Sequence, residues 1–156
     1  MNLSLAVVLG IAQGIERKGI EVYQQMKGHF NDPLLDYLIE QEGHHIRVFQ
    51  ELFKTGLATS REQTMETPHL DEDYLMAAYA NTEIFGQVRP TRVSAKGLFP
   101  LAVSLEKESI RFYLELVDEM PERFEHEREL LRKIAGEERQ HLRTLLAKKE
   151  AFTVHA

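Results

Sequence analysis

The sequence predicts an all-α protein: a bundle of four long helices, joined as two pairs by a long crossover that contains a short extra helix. Three observations lead there. Four stretches carry apolar residues in steps of three and four, the spacing of a helix with one buried face. The two halves also repeat each other: an offset of 90 lays Ala12, Glu16, Ile20 and Tyr23 on Ala102, Glu106, Ile110 and Tyr113, and an offset of 96 lays Leu35, Glu42 and His45 on Leu131, Glu138 and His141. Finally, the link inside each half is short, which implies antiparallel neighbours, whereas roughly forty residues between the halves permit a crossover.

The first helix is expected from about Ser4 to Lys27, with Ser4 as its cap. Its seam is Leu5, Leu9, Ala12, Glu16, Gly19, Tyr23 and Met26, and Gly28 followed by Asn31-Asp32-Pro33 supplies the stop and the turn. The second helix has Leu35, Leu38, Glu42, His45, Phe49 and Leu52 along one face and is expected to end near Gly56. Residues 57–97 form the crossover. Its first part, Leu57 to His69, is polar and aperiodic; Asp71 to Phe85 reads as a short helix with an acidic first turn, which complements the helix dipole; the remainder, with Pro90 and Gly97, reads as an extended connection. The third long helix is expected from Leu98 to Glu119, ended by Pro121, and the fourth from Glu122 to Lys149, with Leu131, Ile134, Glu138, His141 and Leu145 on its seam. Residues 150–156 read as a loose tail, and the whole chain as a single domain.

Composition narrows the function classes. The net charge of −6 argues against a sequence-independent nucleic-acid binder, which needs clustered Lys and Arg. With no cysteine, the chain can form no disulfide, thiolate zinc site, cysteine-ligated iron–sulfur centre or rubredoxin-type module. The apolar start, MNLSLAVVLGIAQGIE, has no Lys or Arg before Arg17 and is too short to span a bilayer, so it reads as a buried helix in a cytoplasmic protein.

The seams contain the wrong residues for a core. Glu16, Glu42, His45, Glu106, Glu138 and His141 occupy mid-helix positions where leucine would serve better, and a buried polar group costs several kcal/mol unless it is satisfied. Glu42 with His45, and Glu138 with His141, stand at i and i+3, so each pair meets on one face. Four buried carboxylates would repel one another and take up protons. Two divalent cations would cancel their charge, with the imidazoles completing two oxygen-rich sites. Such donors suit iron or manganese better than structural zinc, while zinc or copper could compete by raw affinity.

The motifs ERKGIEVY and EQEGHH in the first half, with EKESIRFY and EERQH in the second, resemble those of the rubrerythrin-like branch of the ferritin-like superfamily. That resemblance implies a ferritin-like four-helix bundle holding two metal ions, most often iron, with manganese or a mixed pair as alternatives and zinc as a substitute. It further implies bridging by Glu16 and Glu106, with Glu42/His45 and Glu138/His141 each tied to one metal. By the same resemblance, Tyr23 and Tyr113 would each hydrogen-bond a ligand carboxylate; the bland alternative is a core tyrosine that uses any nearby acceptor.

The sequence departs from that pattern in two ways. Rubrerythrins carry a further carboxylate three residues after the ligand glutamate of the third long helix, where this chain has Ser109, and they usually carry a rubredoxin. Electrons are therefore expected from a separate donor protein. The implied activity is reduction of peroxide or O2 at a dimetal centre; ferroxidase chemistry in iron handling and a non-catalytic, metal-stabilised interaction or sensor domain stand as alternatives. A homodimer or larger homo-oligomer, without nucleic acid or membrane, goes with these readings.

Other candidates have simpler explanations. His44 lies about 100° round the helix from His45, so it reads as exposed or as an interhelix contact. His29, His69, His126 and His155 have no partner pattern and read as surface residues, and no H-E-x-x-H protease motif occurs. The short third helix, with Tyr74, Tyr79 and Glu83, reads as a lid or packing element, and the acidic run from Glu122 to Glu129 as a solvated face.

Overall fold

A computed structural model describes residues 2–59, 64–80 and 93–154. In chain order, β1 (Asn2–Ser4) leads into α1 (Leu5–Lys27) and α2 (Pro33–Thr59); β2 (Thr64–Glu66) and α3 (Glu72–Leu75) belong to the crossover; α4 (Ala95–Glu119) and α5 (Glu125–Ala147) complete the bundle. α1 packs on α2, α4 on α5, and α1 on α4. Among the described residues the fold is all-α but for one small ribbon.

The bundle is layered, and the layering follows from the seams. One apolar cluster takes Leu9 and Ala12 from α1, Phe49 from α2, Leu116 from α4 and Leu131 from α5. A second takes Met26, Leu38, Ala102 and Leu145 from the same four helices. Along every helix the polar seam residues fall between its contributions to the two clusters. α1 and α5 run from the first cluster to the second, whereas α2 and α4 run the other way. The crossover therefore connects opposite ends of the bundle, as a ferritin-like topology requires.

Several expected boundaries shift. Ser4 makes no side-chain cap. It belongs instead to β1, which pairs antiparallel with β2 in the register Asn2↔Glu66, Leu3↔Met65 and Ser4↔Thr64. Leu3 and Met65 are fully buried in the first cluster, so the segment read as aperiodic contributes to the core. α2 continues to Thr59, and α4 begins three residues earlier than expected, which puts Pro100 inside it. The short third helix is α3, capped by Asp71, whose side chain accepts from the Tyr74 amide, followed by a π-helical turn at Met76–Ala80. The rest of that expected helix, including Glu83, lies outside the described residues, as does His155.

The last expected helix is divided. Glu122–Phe124 form a 3-10 turn before α5, and Lys149–Phe152 form another after it. The tail is not loose over its described part: Phe152 is buried, with its ring stacked on Phe99 and edge-on to Phe30. Burial of one aromatic side chain, worth about 1.5–3 kcal/mol, offsets part of the entropy lost in ordering so short a segment. No helix among the described residues is long and apolar enough to cross a membrane.

Candidate metal centre

Glu16, Glu42, His45, Glu106, Glu138 and His141 meet at mid-bundle, and none is more than 3% exposed. They form two overlapping sets of four. Glu16, Glu42, His45 and Glu138 make one, and Glu42, Glu106, Glu138 and His141 the other; within each set one donor atom per residue lies within 4.8 Å of the rest. Glu42 and Glu138 are common to both. The resemblance implies bridging by Glu16 and Glu106, whereas the residues that belong to both donor sets are Glu42 and Glu138. The carboxylates that share a helix with a histidine sit centrally, whereas Glu16 and Glu106, from α1 and α4, each belong to one set.

Tyrosines brace the outer carboxylates from the opposite helix. The Tyr23 hydroxyl of α1 donates to Glu106 Oε1 of α4, and the Tyr113 hydroxyl of α4 donates to Glu16 Oε1 of α1. The exchange is reciprocal, as the internal repeat implies. Both phenols are pushed well up by burial and by the nearby carboxylate charges, so they remain donors.

The histidines turn Nδ1 toward the acids. His45 Nδ1 lies 3.0 Å from Glu138, 3.3 Å from Glu42 and 3.4 Å from Glu16. His141 Nδ1 lies 3.1 Å from Glu138, 3.5 Å from Glu42 and 3.8 Å from Glu106. One N–H cannot satisfy three carboxylates. Among the described residues, Glu42 Oε2, Glu106 Oε2 and Glu138 Oε1 are buried without a hydrogen-bond partner, although each has an imidazole within ion-pair distance. Buried acceptors left this way are costly, and a cation among them would satisfy all three.

Electrostatics divides the acids into two kinds. Burial pushes Glu42 and Glu138 well above the usual carboxylate range, with the charge of Glu16 adding to it. For Glu16 burial acts in the same direction, but hydrogen bonds from Glu42 and His45 and the charge of His45 outweigh it and hold the group at about 2. Glu106 is likewise lowered, against burial, by Glu138 and His141. Burial would lower both histidines; hydrogen bonds and charge from Glu16 and Glu42 raise His45 to about 11, and those from Glu106 and Glu42 raise His141 to about 9. These directions favour charge on Glu16, Glu106 and the two imidazoles and disfavour it on Glu42 and Glu138. With two divalent ions, four carboxylates and two neutral imidazoles are again in balance. The donor set fits two metals.

A small void of about 10 Å³ lies against the four carboxylates, bounded by Gly19 and Ser109, which are equivalent under the offset of 90. Ser109 is buried and donates to the Glu106 carbonyl oxygen at 2.9 Å.

The comparisons agree with this geometry. The family model for rubrerythrin matches residues 98–153, which include α5 and nearly all of α4. A solved structure from Thermotoga maritima, provisionally described as a ferritin-like diiron-carboxylate protein, superposes with a TM-score of 0.66 over 96% of this chain and 97% of that one, at 22% identity. The second half of this chain is similar to rubrerythrin, and the fold is ferritin-like. No curated protein matches the sequence.

In this ferritin-like bundle, His44 is exposed, as are His29, His69 and His126. Sequence reasoning missed Glu137, whose Oε2 lies 2.6 Å from His45 Nε2. It stands one residue before Glu138 and off the inward seam. The only signal was the acidic doublet at 137–138, set against Gln41-Glu42 in the first half.

Proposed function

We propose that this chain is a dimetal carboxylate oxidoreductase that reduces peroxide or O2 with electrons from a separate donor protein. The observation that carries this reading is the pair of four-residue donor sets sharing Glu42 and Glu138, buried in the layer between two apolar clusters. Glu42, Glu138 and His45 with Glu16 would hold one ion; Glu42, Glu138 and His141 with Glu106 would hold the other. Iron is the preferred metal for this donor set, with manganese or a mixed pair as alternatives. Such ions, when bound, would supply the redox chemistry that reduces the oxidant, with the donor protein restoring their electrons.

The chain's own residues prepare the site. Glu42, Glu138 and the imidazoles would give up their protons to hold metal, so loading would be coupled to proton loss. Tyr23 and Tyr113 hold the outer carboxylates in place from across the bundle. The apolar layers on either side exclude bulk water. A homodimer or larger assembly in the cytoplasm, supplied with reductant there, completes the proposal.

Rapid mixing of the anaerobic ferrous-loaded protein with peroxide, and separately with O2, tests it. Oxidation well faster than that of free ferrous ion is expected; a rate no faster would overturn the reading.

Ser109 favours a second reading, in which oxidation serves iron uptake. A serine there, committed to a backbone carbonyl, offers no carboxylate for rubrerythrin-type movement of iron during peroxide turnover. Sedimentation combined with iron analysis decides between them: a small assembly retaining about two ions per chain cannot store iron.

A further inference from the structure

The two histidines are equivalent in sequence but not in surroundings. His45 is held at both ring nitrogens: Nδ1 faces Glu16, Glu42 and Glu138, while Nε2 lies 2.6 Å from Glu137 Oε2. His45 is fully buried, and the Glu137 side chain is 32% exposed at the edge of the cluster. An Nε2–H donating to a carboxylate fixes the tautomer, leaves Nδ1 as the donor toward metal, and makes that nitrogen more basic.

His141 has no such support. Its nearest carboxylate contacts are all made through Nδ1, and among the described residues no hydrogen bond joins a carboxylate to its Nε2. The ring of Tyr37, itself half exposed, stands edge-on to it with centroids 6.3 Å apart. The residue equivalent to Glu137 under the offset of 96 is Gln41, which is neutral. The tyrosine braces do not distinguish the two sides, since they are reciprocal.

Resting on the dimetal reading above, we infer that Glu137 is a positioning residue that makes the His45 side the tighter of the two metal positions, so that metals load in order with that side first. Loss of a carboxylate behind a ligand histidine typically weakens metal binding by about 10–100-fold, and the two steps differ by a factor of that size.

The test is anaerobic titration of the metal-free protein with Co²⁺, followed by calorimetry and by the visible absorption of the bound ion. Far-UV circular dichroism checks that each variant keeps its helices. Wild type should bind two ions in resolved steps. Glu137→Gln and Glu137→Ala should weaken the first step toward the second, whereas Gln41→Glu should tighten the second toward the first. His141→Ala should keep the tight step and His45→Ala should lose it, whether or not the Glu137 variants fold. Two ions bound with equal affinity, or a tight step that survives His45→Ala, would overturn the inference and leave the dimetal reading standing. No binding of Co²⁺ at all would remove both.

Discussion

The middle layer of the bundle and the apolar layers on either side are built from the same four helices, yet they act on the fold in opposite ways. Leu9, Phe49, Leu116 and Leu131 on one side, and Met26, Leu38, Ala102 and Leu145 on the other, stabilise the bundle simply by leaving water. The four glutamates and two histidines between them give up hydration and regain only part of it from one another, leaving three carboxylate oxygens without a hydrogen bond among the described residues. Fold and function are thus divided by depth along each helix. The apolar layers hold the chain together, and the central layer is tolerated for what it binds.

The sharpest way to probe that division is to fill the central layer. With each of two ions at roughly 1,000 times its Kd, binding adds about 8 kcal/mol, a rise in Tm on the order of 20 °C for a chain of this size. Differential scanning calorimetry with Mn²⁺ and after chelation measures it, and Glu138→Gln should abolish most of the shift because both donor sets lose a shared oxygen. An unchanged Tm on loading would contradict the contrast between the layers.

A cut in an apolar layer should act the other way round. Leu116→Ala, at a fully buried position, should cost about 2–5 kcal/mol in chemical denaturation while metal stoichiometry stays at two. Loss of metal without loss of stability would reverse the roles assigned to the two regions.

The boundary between layers is subtler. Tyr23→Phe removes the donor to Glu106 without changing the packed ring, and should cost about 1–3 kcal/mol in the metal-free protein. Denaturation curves of the variant with and without metal would show whether the brace acts mainly on the fold or on the ion.

The smallest effect is a drift with pH. His45 at about 11 and His141 at about 9 both lie above their ordinary 6.5, so the stability they lend the metal-free protein is complete below pH 6.5 and lost as pH rises through 9 and then 11. Glu42 and Glu138, also raised, act in the same direction. Glu16, held at about 2, acts oppositely: its contribution is present above 4.5 and lost toward pH 2. Metal-free Tm should therefore fall between pH 6.5 and 11. The metal-loaded protein, with its imidazoles already neutral, should stay flat over the lower part of that range.

Much of this was legible in advance because helix periodicity is a long-range signal. Seven seam positions on α1, from Leu5 to Met26, are all buried as expected, and the intrusion of Glu16 among them marked the site. What escaped was local. Three-residue strands are too short for alternation to register, so Ser4 passed for a cap. Phe152 docks by a single ring, and one aromatic in seven residues carries no period. The sharing of Glu42 and Glu138 depends on how the helices face one another across the bundle, which no single-helix pattern records. Glu137 escaped for the same reason, since its partner lies on another helix 92 positions away.

The ribbon of β1 and β2 has a practical consequence. It fastens the start of the chain to the crossover through Leu3 and Met65, both inaccessible to solvent. Two strands of three residues do not persist alone, so the fastening forms only on a bundle already assembled. Substitutions that weaken the Leu3–Met65 packing would therefore release both segments together.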